Sequence, residues 1–453
     1  MLRSLELTRI SEFGHGVRRL VVAGVLMAHV RTNRLEAALS IAKKATRFQD
    51  DDTLAPGNNA GFILETALAT VYLASGIPIH AMPHVRRIRE DAEDSQEPEW
   101  IYRAHALEAS VLAQSGDFEA ADAALERMRV EGTVLRRSSD SAGIAEFVAL
   151  TAEFQVAFTR QDVARMDELI LHIENIVNAD AMLSSLSLLA KATRAILLGN
   201  SHEGLAYLAK ILSGAERQFA LRLVLQFALH LQALVHIGRG EYELALREIE
   251  GESSSETHFA CVGYLRATAH IRGQQYVEAL QATNACMRIR SRHSLWTLGP
   301  VLLRRAIANL KLGNPTQALL DGVDALHLIH PNDTALIFMS LLEHDIVQLF
   351  EFLANEDITC VPLINRLQEN REPSTAQSFQ FLDTRLPKLT KREIEIANQL
   401  STARTLTQIS THLGVATGTV KSQAHGIYKK LGVGKRSEAV AELGRRGFYS
   451  QPK

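Results

Sequence analysis

Cysteine is scarce in this 453-residue chain. Cys261, Cys286 and Cys360 lie far apart, with none of the paired spacing of a zinc site or a disulfide framework, and this points to a reducing, cytoplasmic setting. Aromatics are sparse at 6%. Asn-Gly turns and β-branched alternation are nearly missing, which argues against a sheet. No apolar run reaches the ~20 residues of a bilayer span. The longest, Leu20 to Val30, has no small-residue cleavage site behind it and reads as a buried helix, so no membrane association is expected. No Gly-x4-Gly-Lys-Ser/Thr phosphate loop occurs; at Gly434-Lys435-Arg436-Ser437 the first glycine is replaced by Lys429 and Arg436 separates the lysine from the serine. Gly14-His15-Gly16 has two of the three dinucleotide-fingerprint glycines but no preceding strand. His202-Glu203 lacks a second histidine four residues on, and His344 stands alone between Glu343 and Asp345. We therefore expect no metal, no cofactor and no catalytic constellation.

What the sequence does have is helix. Ala, Leu, Glu and Arg recur with a period near 3.6, and an all-α fold follows. A repeated opening, a turn residue leading into a helix with Ala and Leu on one face, begins at Thr32, Gly116, Gly240, Gly273 and Gly313, with weaker copies at Gln161 and Gly199. From Gly199 the openings recur after 41, 33 and 40 residues, each behind another helix-length apolar segment. The unit is helix, tight turn, helix. Glycine supplies the positive φ of the turn, alanine lets the paired helices approach, and stacked hairpins bury faces that one hairpin cannot. Such a stack bends into a superhelix with a concave binding surface. It resembles the tetratricopeptide superfamily in degenerate form, and residues 1–354 are assigned to it.

Residues 355–387 hold Pro362, Pro373, Pro387 and the polar stretch Gln368 to Ser378, the composition of a linker with one short helix. After Pro387 the charge changes abruptly. Twelve Lys and Arg face four Glu, a net charge of +8, which leaves −10 for the residues before it in a chain of −2 overall. A basic module on an acidic body suits a polyanion partner. Residues 388–453 read as four helices. Thr390-Lys-Arg-Glu393 is a capping box opening the first, to about Leu400. The second runs from about Thr405 to Leu413 and ends at Gly414. The third covers about Thr417 to Leu431, with Ala416 leaving the cap to Thr417, and the fourth Ser437 to Arg446. On the third, Val420, Ala424, Ile427 and Leu431 make a core stripe, while Lys421, Ser422, His425 and Lys429 share the remaining surface. Two short helices joined at a glycine, the second carrying such a face, make a helix-turn-helix fit for a major groove.

Leu389-Thr-Lys-Arg-Glu393, Ile409, Gly418-Thr-Val-Lys421, Ile427-Tyr-Lys-Lys-Leu-Gly-Val433 and Arg436-Ser-Glu-Ala-Val440 resemble the LuxR-type DNA-binding domain over its whole length. The resemblance implies that Lys421, Ser422 and His425 face base edges, that Thr419, Tyr428 and Lys429 lie at or beside phosphates, and that Thr407 and Gln408 add backbone contacts. Together with the repeats, the chain is similar to the large MalT-like bacterial regulators, whose ATPase has no counterpart in this sequence. The resemblance implies a transcription regulator, homodimeric on double-stranded operator DNA, with RNA polymerase as a further partner. The repeats would take an effector, whether peptide, small molecule or protein. The alternative is a repeat scaffold whose basic tail contacts protein or RNA.

Overall fold

The computed structural model describes residues 14–45, 59–135, 144–176, 181–213, 217, 220–254, 256–329, 340–369, 389–402, 404–431, 433–445 and 448, and these are all-helical. None of the described helices is long and apolar enough to cross a membrane. The body is a run of antiparallel helix pairs: α1 (His15–Arg31) with α2 (Leu35–Ala45), α3 (Asn59–Ala74) with α4 (Pro78–Ser95), α5 (Pro98–Ser115) with α6 (Phe118–Leu135), and α7 (Ile144–Arg160) with α8 (Val163–Ile176). It continues with α9 (Ala181–Leu197) and α10 (Ser201–Ser213), α11 (Arg222–Gly238) and α12 (Tyr242–Glu248), α13 (Val262–Arg272) and α14 (Tyr276–Ala282), then, after the short α15 (Asn284–Arg288), α16 (Leu295–Lys311) and α17 (Pro315–Leu328).

All eight described hairpins turn the same way. One residue takes a left-handed conformation: Asn33 (φ 55°), Gly76 (69°), Gly116 (96°), Gln161 (55°), Gly199 (81°), Gly240 (78°), Gln274 (59°) and Gly313 (75°). Its N–H donates to the carbonyl three residues back, and the next N–H to the carbonyl five back, as in Gly240 to Ile237 (3.0 Å) and Glu241 to His236 (2.9 Å). This pair of hydrogen bonds satisfies helix-end carbonyls that otherwise have no partner. Two details depart from the sequence reading. At the seventh turn the positive φ belongs to Gln274, while Gly273 has an ordinary negative φ of −84°. The turn at Gly76 was not anticipated, because Ile77-Pro78 replaces the aromatic and Ala-Leu signature; there Pro78 starts the helix, where its missing N–H costs nothing.

The hairpins wind until the chain meets itself. Asn33, at the first turn, donates to Ala220 O (2.6 Å) and accepts from Arg222 N (2.8 Å). Thr257 donates to Gly76 O (2.6 Å) at the second turn, and Ser294 to Gln114 O (2.9 Å) beside the third. These bonds span 187, 181 and 180 residues. At the third contact a Cβ on Gly116 would lie 2.5 Å from Trp296 N, so only glycine fits the approach.

The inner face is thus largely core. One buried cluster extends from Val22 to Val301, and a second holds the end of the array. Within this core lies a small apolar pocket, lined by Phe154, Phe158, Phe227, Phe259 and Trp296 among others. The linker expectation also shifts. Its short helix is α19 (Cys360–Glu369), which follows α18 (Glu343–Glu356), and Cys360, Ile364 and Leu367, one helical face, are buried in the second cluster. The array therefore continues to 369, and 370–387 lies outside the described residues.

Candidate nucleic-acid interface

The tail consists of α20 (Lys391–Leu400), α21 (Leu406–Leu413), α22 (Thr417–Leu431) and α23 (Arg436–Arg445) around a small core of their own. Local sequence explains each boundary. Thr390 and Glu393 form the expected capping box, Thr390 N donating to Glu393 (2.7 Å) and Glu393 N to Thr390 Oγ1 (3.2 Å). A second box, Thr405 with Gln408, opens α21 at 2.8 and 3.2 Å. Gly414 ends α21 at φ 63° and turns the chain into α22. The hydroxyl of Thr417 is engaged with Ser410 Oγ (2.9 Å). Because Ser410 donates to Thr407 O (2.7 Å), Thr417 is the donor in that pair, and it ties α22 to α21 instead of capping its own helix. The fourth helix starts at Arg436, one residue earlier than Ser437, with Glu438 accepting from Gly434 N (3.0 Å) ahead of it.

Val420, Ala424, Ile427 and Leu431 are all buried, as their spacing requires. That stripe fixes the rotation of α22 and turns the rest of it outward. Thr419, Lys421, Ser422, His425 and Lys429 are exposed; Lys421, His425 and Lys429 follow one another at successive turns of one side. Neither Lys421 nor Lys429 is ion-paired among the described residues. Tyr428 is half-buried, packed on the small core, and burial pushes its hydroxyl up from the usual range. Thr407 and Gln408 are exposed at the start of α21, where the carbonyl oxygen of Gln408 is already committed to the capping box.

Two other cations of the tail are structural. Arg436 donates to Leu400 O (2.9 Å), Thr402 O (2.7 Å), Gln399 O and Arg404 O, closing the end of α20. Lys430 reaches Glu393 Oε2 at 2.5 Å and joins α22 to α20. Burial opposes the charge on Glu393, but Lys430 and the Thr390 donors outweigh it and hold its carboxyl below the ordinary value. The basic surplus of the tail is therefore divided: Arg436 and Lys430 build the domain, while Lys421 and Lys429 face outward.

Elsewhere, sequence reasoning passed over a group. His258, Cys261, Cys286 and His293 bring their ligand atoms within 4.8 Å of one another, although no metal was expected. The intervals between them, two, 24 and six residues, hide the set from a search for paired cysteines; His-x2-Cys before a helix start was the available signal.

Residues 387–443 match the family described as bacterial regulatory proteins, luxR family. Over 60 residues the chain is 40% identical to the probable transcriptional regulatory protein NarL of Mycobacterium tuberculosis, in strain CDC 1551 / Oshkosh and equally in strain ATCC 25618 / H37Rv. The alignment takes in 13% of this chain and 28% of those relatives. The chain thus spans less than a third of the length of the curated relatives it matches.

Proposed function

With a LuxR-family helix-turn-helix domain at residues 387–443 as the premise, we propose that the chain is a DNA-binding transcription regulator controlled through its helical array. The observation that carries the reading is the outward face of α22, cationic and hydrogen-bonding, held in place by a fully buried stripe. Lys421, Ser422 and His425 address base edges in the major groove; Thr419, Tyr428 and Lys429, with Thr407 and Gln408 from α21, address the phosphate backbone. One such helix buries little surface, so two copies on neighbouring half-sites give the affinity an operator needs.

The array's part is to hold an effector. Its closed winding favours a small molecule over an extended peptide. The cavity is aromatic, and the indole N–H of Trp296 on its wall is buried without an acceptor. Burial pushes His230, on the same wall, down to about 4, so that it meets a ligand as a neutral imidazole. An apolar molecule carrying one hydrogen-bond acceptor suits these groups.

The test is a gel-shift and selection series on the full chain. Lys421→Ala should cost about 1–3 kcal/mol on the selected operator and flatten its sequence preference. Lys429→Ala should weaken all duplexes alike and reduce the logarithmic salt slope by about 0.9. Wild-type behaviour of both variants on operator and random DNA would overturn the assignment of this face.

A further inference from the structure

We propose that His258, Cys261, Cys286 and His293 bind a single Zn(II) ion in a closed, tetrahedral site that locks the loops closing the superhelix. The four side chains come from separate places. His258 lies in the loop before α13, Cys261 is the N-cap of that helix, Cys286 lies on α15, and His293 precedes α16. Cys261 Sγ is 3.5 Å from Cys286 Sγ, 3.8 Å from His258 Nδ1 and 3.8 Å from His293 Nε2, and His258 Nδ1 is 3.3 Å from Cys286 Sγ. Zinc bonds of ~2.3 Å to sulfur and ~2.0–2.1 Å to nitrogen place tetrahedral ligand atoms ~3.4–3.8 Å apart, the spacing these atoms already have.

The surroundings are those of ligands. His293 Nδ1 donates to Ser294 O (2.9 Å), which fixes the tautomer and leaves the Nε2 lone pair facing Cys261. Cys261 Sγ accepts from Tyr264 N (3.3 Å) at the positive end of α13, a setting that favours thiolate. Gly263 makes room: a Cβ there would stand 2.9 Å from Cys286 Sγ. Three of the four residues are buried and His258 is half-buried at the rim. A donor set of two sulfurs and two imidazoles without a carboxylate selects zinc over harder cations, and four protein ligands leave no position for substrate. A disulfide between Cys261 and Cys286 would leave the two converging imidazoles unexplained.

The position gives the ion its task. Thr257, beside His258, holds the Gly76 turn; Ser294, beside His293, holds Gln114. Ser294 N also donates to Thr257 O (2.7 Å) and Thr297 Oγ1 to His258 O (2.8 Å), so the two loops already act as one unit. Cys261 and Thr297 belong to the wall of the aromatic cavity as well. The zinc would fix that wall and both closing contacts together. This inference stands whether or not the tail binds DNA.

The experiment is elemental analysis of the untagged full chain, purified under reducing conditions, followed by replacement of the metal with Co(II). The expected result is about one zinc per chain. The cobalt form should show tetrahedral d–d bands with thiolate-to-cobalt charge transfer. Cys261→Ser and Cys286→Ser should lose the metal, and His258→Asn, at the half-exposed rim, should weaken it while keeping the helical circular dichroism. Cys360→Ser, whose thiol lies in the second core, should retain it. The proposal is overturned if the wild-type chain holds no zinc and gives no thiolate charge transfer with Co(II), or if zinc survives in the Cys261→Ser/Cys286→Ser double variant. A mass lower by two hydrogens under the reducing conditions, marking a Cys261–Cys286 disulfide, would overturn it equally.

Discussion

In the array, arginine is structural cement; in the tail, part of the lysine is left facing solvent. Arg165 reaches Glu153 at 2.6 Å and Asp122 at 2.7 Å, Arg129 shares Glu153 at 2.6 Å, and Arg160 shares Asp122, so three cations and two carboxylates join α6, α7 and α8. On α22, Lys421 and Lys429 lie beside no carboxylate among the described residues, although Lys430, one residue on, finds Glu393. The difference teaches that positive charge signals a partner only where the fold has not already used it. Net charge points to the tail; the pairing pattern points to two lysines within it.

Three perturbations would break or sharpen that contrast. The largest effect belongs to Gly116→Val, which forces a side chain into the left-handed region and against the backbone of Trp296. It should cost about 3 kcal/mol or more, read as a lower melting temperature of the array with the isolated DNA affinity of folded protein unchanged. Next comes Arg165→Ala, which leaves Asp122 and Glu153 short of a shared cation in a partly buried setting and should destabilise by about 2–3 kcal/mol in chemical denaturation. Should it also weaken operator binding in protein that remains folded, the division between cement and interface is wrong.

The smallest effect concerns the tail's own ion pair. Glu393 has a depressed carboxyl, so its contribution is complete above the ordinary carboxylate range and is lost as pH falls through the depressed value. Lys430→Met should remove part of that acid sensitivity and cost less than about 1 kcal/mol at neutral pH, since the lysine is partly solvated. A melting series between neutral and acid pH would check it. An unchanged acid limb would mean that Lys430 does not hold Glu393.

Much of this was legible because it is local. The stripe Val420, Ala424, Ile427 and Leu431 and the box Thr390-Glu393 are periodicities within a few turns, and the structure repeats them. The hairpin openings at Gly116, Gly240 and Gly313 were likewise visible. Where the signal is conformational and not compositional, the reading slipped: Gln274 and Gln161 occupy left-handed positions that a search for glycine assigns elsewhere or leaves weak. The pairing of Lys430 with Glu393, the engagement of Thr417 by Ser410 and the meeting of Cys261 with Cys286 depend on how helices pack, and no spacing rule contains that. The same holds for the cavity, whose wall is assembled from helices between Phe154 and Thr297 by packing alone.

That self-meeting carries a consequence for synthesis. Contacts this distant form late, and a ribosome adding about 5–20 residues per second needs roughly ten to forty seconds to deliver the partner of each early turn. Asn33, Gly76 and Gln114 emerge long before Ala220, Thr257 and Ser294 exist to meet them. The closing contacts therefore cannot all form until Ser294 has been made, and the early hairpins must hold together by neighbour-to-neighbour packing alone until then.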